Sequence, residues 1–73
     1  MAKTIYTKAH KSLVKKLVKA REEAKLRQGD VARKLGKTQS YISKIESGQR
    51  RIDIIQLREL AEVYHKNPTY FIK

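Results

Sequence analysis

Residues 28–46 read QGDVARKLGKTQSYISKIE, and the reading of this stretch decides the fold. Val31, Ala32 and Leu35 form a short apolar stripe at helical spacing. Gly36 follows it, and glycine takes the positive φ of a helix C-terminus without steric penalty. Thr38 then opens another helix, because its hydroxyl can accept a hydrogen bond from a free backbone N–H of the next turn. That helix is expected to reach about Ser47, with Gly48 stopping it in the same way.

The later helix has two faces. With Gln39 at zero and about 100° per residue, Ile42 falls near 300° and Ile45 near 240°, which anchors one face in a core. Tyr41, at about 200°, sits on the boundary. Gln39, Ser40, Ser43, Lys44 and Ser47 share the remaining arc, a flat face of short polar side chains with one cation. A merely solvated face usually carries Glu, Lys, Gln and Arg, whereas serine costs helix propensity. Small side chains let a helix approach a surface closely, and Gln and Lys can hydrogen-bond base edges in the major groove. A solvated face is the competing reading.

Working outward, Leu13, Leu17, Ala20 and Ala24 keep helical steps, and Val14 and Val18 widen the stripe. This predicts a first helix over about 8–25, with Thr7 as its N-cap. Its other face holds Lys8, Lys11, Lys15, Lys16 and Lys19, facing either phosphates or solvent. Downstream, Asp53 and Gln56 match a capping box, and Ile54, Leu57, Leu60, Ala61 and Tyr64 carry a fourth helix to about His65. Asn67 and Pro68 close it and start a final turn, in which Tyr70, Phe71 and Ile72 are expected to cover the open end of the core. No strand pattern occurs, so the expected fold is all-α, with four or five helices. Residues 1–7 are expected to form a flexible arm and 8–73 a single domain.

Seventy-three residues suffice for one small core. Without cysteine there is no disulfide framework or thiolate metal site, and His10 and His65 are too far apart in sequence to suggest a shared ligand set, so no metal or cofactor is expected. No apolar run approaches the ~18 residues of a membrane span, and MAKTIYTKAHK lacks a signal peptide's apolar stretch, which predicts a cytoplasmic protein. The net charge of +11 favours a polyanionic partner. Residues 1–45 hold 13 basic and 3 acidic side chains, while 46–73 hold 5 and 4, so the charge is concentrated where the short helices lie.

The 28–46 window resembles the helix-turn-helix of the phage repressor and Cro type, the XRE family. Ala32 stands where a small residue leaves room for the crossing helix, Gly36 stands at the turn, and Val31, Leu35, Ile42 and Ile45 take the buried positions. The similarity extends through LVKAREEAKL upstream and SGQRRIDIIQLRELAEVY downstream. It implies a compact lambda-repressor-like domain whose third helix enters the major groove while the second crosses the backbone. Carried over by position, Gln39, Ser40, Ser43 and Lys44 would contact bases. Gln28 would contact a phosphate and brace Gln39; Thr38 and Tyr41 would meet the backbone, flanked by Lys37, Arg50 and Arg51. Arg21 and Glu46 match a structural ion pair that ties the first helix to the end of the third. Two positions depart from the pattern: Arg27 replaces the usual hydroxyl residue before the second helix, which predicts a looser helix start, and Lys37 replaces an apolar residue.

The implied function is a sequence-specific regulator, a repressor, that binds double-stranded DNA as a homodimer on a short inverted repeat. Ile54, Ile55, Tyr70 and Phe71 are candidates for the dimer surface, and core is their other reading. The alternative is a protein-interaction module of the same fold, such as an antitoxin that neutralises a toxin or another regulator, with DNA binding secondary. An RNA binder is disfavoured, since no cluster of exposed aromatics suits base stacking. No arrangement of nucleophile, base and oxyanion donors suggests an enzyme.

Overall fold

The computed structural model describes residues 8–72, and these form five helices: α1 (Lys8–Glu23), α2 (Gln28–Leu35), α3 (Gln39–Glu46), α4 (Ile54–Val63) and α5 (Thr69–Ile72). The expected arm and the Thr7 cap lie outside the described residues. Each helix contributes its apolar stripe to one core of Leu17, Ala20, Val31, Ala32, Ile42, Ile45, Leu57, Leu60, Ala61, Tyr64 and Phe71. Leu13, Ala24, Leu26, Leu35 and Tyr41 close its rim. Ala20, Ala32 and Ala61 are almost completely buried, where small side chains let neighbouring helices approach. α2 packs mainly on α3, α1 spans α3 and α5, and α4 backs α2.

The helix ends explain where the sequence reading overran. Gly36 and Gly48 adopt φ of 70° and 82° after α2 and α3, as expected. Lys25 and His65 adopt the same left-handed conformation, at 61° and 58°, after α1 and α4. There the chain reverses with paired hydrogen bonds, Leu26 N–H to Arg21 O and Lys25 N–H to Glu22 O in one case, Lys66 N–H to Ala61 O and His65 N–H to Glu62 O in the other. The first helix therefore ends at Glu23 rather than 25 and the fourth at Val63 rather than 65. A side chain in this region costs about 1–2 kcal/mol relative to right-handed backbone, so nothing in the residue type announces the stop.

The helix starts differ as well. Thr38 caps α3 by accepting from Tyr41 N–H at 3.1 Å. Asp53 and Gln56 form the complete capping box of α4: Asp53 Oδ1 accepts from Gln56 N–H at 2.8 Å, and Gln56 Oε1 accepts from Asp53 N–H at 3.0 Å. Arg27 has no side-chain acceptor with which to cap α2. The expected looser start is corrected by Asp30, whose Oδ2 accepts from Arg27 N–H at 2.9 Å while Oδ1 accepts from Arg33 at 2.7 Å. The carboxylate also sits near the positive end of the helix dipole.

At the edges one apolar expectation fails, that of Ile72 as cover for the core, while Ile54 falls on the exposed side of its two readings. Ile54 is 59% exposed and Ile72 62% exposed, so neither belongs to the core and Ile72 does not cover its open end. Phe71 fills that place instead, packed edge-on against Tyr70 with ring centroids 5.0 Å apart. Ile54 opens α4 in its first turn, where it stays largely exposed among the described residues.

Candidate nucleic-acid interface

α3 is held by Ile42 and Ile45, each 1% exposed, and this fixes which way its other side faces. Gln39, Ser40, Ser43 and Lys44 are all exposed on that side. Among the described residues none of these four side chains enters a hydrogen bond or ion pair, so their donors and acceptors are uncommitted. Ser47 differs: its hydroxyl donates back to Lys44 O at 3.1 Å. The flat polar face is therefore four side chains long, over less than two turns of helix.

The base of this face is fixed by a polar network. Arg21 Nε donates to Glu46 Oε2 at 2.7 Å, Arg21 Nη1 to Leu26 O at 2.9 Å, and Gln28 Nε2 to Glu46 Oε1 at 2.9 Å. Both carboxylate oxygens are thus occupied, and the side chains of Arg21 and Glu46 are only 15% and 7% exposed. The hydrogen bond to Glu46 holds the Arg21 guanidinium above its ordinary pKa, although burial works against it. Tyr64 lies in the same field, and burial, reinforced by Glu46, pushes its phenol well above the usual range. The network joins α1, the start of α2 and the end of α3, and so sets how α3 projects.

Gln28 lies otherwise than the resemblance implied. Its amide engages Glu46 rather than Gln39. Gly29 faces Gln39 across the gap between the helices: a Cβ added there would stand 3.8 Å from Gln39 Oε1, an ordinary contact. Together Arg27, Gln28, Gly29, Arg33 and Gln39 line a shallow notch between the starts of α2 and α3. Asp30 is its acidic member, and hydrogen bonding to Arg27 N–H, with the two arginines nearby, holds its carboxyl below the usual carboxylate range.

That shift fixes a pH dependence. A carboxylate depressed in the folded state stabilises fully above its unfolded pKa of about 3.9 and loses that contribution as pH falls through the folded value. Thermal melts of wild type and Asp30→Asn are therefore expected to differ at about pH 6 and to converge towards about pH 2. A gap independent of pH would deny Asp30 this role.

Along the other edge, Tyr41 is half-buried, and the cations around it come from two loops. Lys37 Nζ stands 5.4 Å and Arg50 Cζ 4.7 Å from the ring centroid. Arg51 is not part of this group; it lies along an open groove with Ala9, Leu13 and Ile72, beside the start of α1. Gln56 joins the site from α4, its Nε2 donating to Tyr41 Oη at 2.9 Å. Sequence reasoning saw only its capping role, because its Tyr41 partner comes from another helix; Asp30 went unread although its partners, Arg27 and Arg33, lie only three residues away on either side.

No helix among the described residues is long and apolar enough to cross a membrane, and no group of His, Cys, Asp or Glu there could hold a metal ion. No curated protein matches the chain significantly. The family comparison does match, over residues 17–71, to a family described as helix-turn-helix. That span runs from the middle of α1 to α5, and includes the Arg21–Glu46 pair, the turn at Gly36 and all of α3. The chain belongs to the lambda-repressor-like, XRE-type helix-turn-helix family of DNA-binding regulators.

Proposed function

We propose that this protein is a sequence-specific transcriptional repressor that acts in the cytoplasm, reads a short inverted repeat in duplex DNA as a homodimer, and blocks by occupancy. The observation that carries the reading is the uncommitted polar face of α3, backed by two fully buried isoleucines. A helix so held can lie in the major groove with Gln39, Ser40, Ser43 and Lys44 against base edges. Gln28, Lys37, Thr38, Tyr41, Arg50 and Arg51 then meet the sugar-phosphate backbone, the first through whatever donor capacity its bond to Glu46 leaves.

Homodimerisation is supported by Ile55, 64% exposed beside Ile54 at the start of α4. Phe71 is core, and Tyr70 is half-buried against it, so the exposed isoleucines are the better candidates. A two-fold dimer whose α3 helices are set about 34 Å apart could read successive turns on one face of DNA.

Selection from a random duplex pool at about 150 mM salt, where nonspecific binding is suppressed, tests the proposal. Enrichment of an inverted repeat with half-sites about one turn apart is expected. A single enriched half-site would remove the homodimer, and no enrichment would overturn base reading in favour of an antitoxin-like module whose partner is a protein.

A further inference from the structure

Tyr41 belongs neither to the base-facing row of α3 nor wholly to the core. Its placement is controlled from outside the helix-turn-helix. Gln56 Oε1 is fixed by Asp53 N–H in the α4 cap, and this pins the amide so that its Nε2 reaches Tyr41 Oη at 2.9 Å. The phenol oxygen accepts that bond and keeps its own proton to donate elsewhere. Lys37, from the turn between α2 and α3, and Arg50, from the loop between α3 and α4, stand over the same ring. Both side chains are exposed, and attraction to the ring face localises otherwise mobile cations. An ammonium at 5.4 Å and a guanidinium at 4.7 Å from the ring centroid thereby share the ring that carries the phenolic O–H, and all three are donors. Such a set is complementary to an anion that accepts several hydrogen bonds, and the anion at hand in a DNA complex is a backbone phosphate.

We propose that Gln56 is a positioning residue for DNA: by holding Tyr41 from the cap of α4, it sets Lys37, Arg50 and the Tyr41 hydroxyl to engage one phosphate beside the recognition helix. The inference rests on the DNA-binding reading. It makes the α4 cap part of the interface, so that α4 does more than back the core.

Binding to a duplex of about 20 base pairs, titrated over a range of salt, tests this, since a phosphate contact needs no particular sequence. Wild type, Gln56→Met, Tyr41→Phe and the double variant are compared, with melting temperatures measured in parallel. Tyr41→Phe leaves the cap untouched. Each single variant is expected to bind about 3- to 10-fold more weakly, the range of one lost hydrogen bond. The double variant should be no weaker than either single one, because both act through the same contact. The salt slope of Gln56→Met should be shallower by about 0.9, the value of one phosphate. A lower melting temperature with wild-type affinity and slope would overturn the inference and leave Gln56 as a cap only. Wild-type affinity in Tyr41→Phe would overturn it too. Failure of the wild-type protein itself to bind duplex at low salt would instead remove the DNA-binding reading on which the inference stands.

Discussion

Glu46→Ala is expected to destabilise the domain by about 3 kcal/mol, the lower end of the cost of breaking a buried ion pair. The carboxylate takes one hydrogen bond from Arg21 and another from Gln28, and Arg21 is held additionally by Leu26 O. Removing it strands a guanidinium that is only 15% exposed and leaves the Gln28 amide without its acceptor. Residual solvent access to Arg21 keeps the loss from reaching the upper end. For a chain of this length total stability is about 4–11 kcal/mol, so a large share would go. Urea denaturation measures it, and a loss below about 1 kcal/mol would reduce the network to the level of a surface pair. The network ties three helices around α3, so the same variant should also bind DNA less well under conditions where it is still folded.

The second large effect is on salt dependence. Lysine and arginine contacts to phosphates release condensed counterions, and each phosphate contributes about −0.9 to the log–log slope of affinity against salt. The candidate backbone residues and the basic excess of residues 1–45 make six to ten contacts per complex a reasonable number for a dimer. Affinity for operator DNA should then fall about 10³-fold or more between about 50 and about 200 mM salt. Fluorescence anisotropy across that range gives the slope directly. A slope shallower than about −2 would mean that the charge faces solvent and that phosphates contribute little to binding.

Much of this was legible in the residues themselves, and the parts that were not share a physical cause. Gly36, Gly48, Thr38 and Asp53 mark their helix boundaries because each residue type suits the local backbone or hydrogen bond that the boundary requires. Lys25 and His65 do the same work as the glycines but at a conformational cost that only tertiary structure sustains, so both helices read two residues too long. Periodicity told which face of α3 is buried, yet it could not tell that Gln28 would reach Glu46, eighteen positions away, in place of Gln39. It also placed Ile54 on the apolar stripe of α4, although among the described residues that end of the stripe is 59% exposed. Tyr41, on the boundary of the angular map, turned out to be shared among the core rim, Gln56 and two cations. A boundary angle states that a side chain is divided between environments, and the partners come from other helices.

The central claim is that the exposed face of α3 reads bases, and Lys44 tests it most directly. It is exposed, and it enters no ion pair among the described residues, so its removal disturbs the fold little. The affinity of Lys44→Ala is measured on the duplex enriched by selection and on an unrelated duplex of equal length. A loss of about 1–3 kcal/mol on the enriched duplex, with a clearly smaller loss on the other, is the result expected of a base contact. Equal losses on both duplexes would contradict it, assigning Lys44 to the phosphate backbone and leaving α3 without its one charged reader.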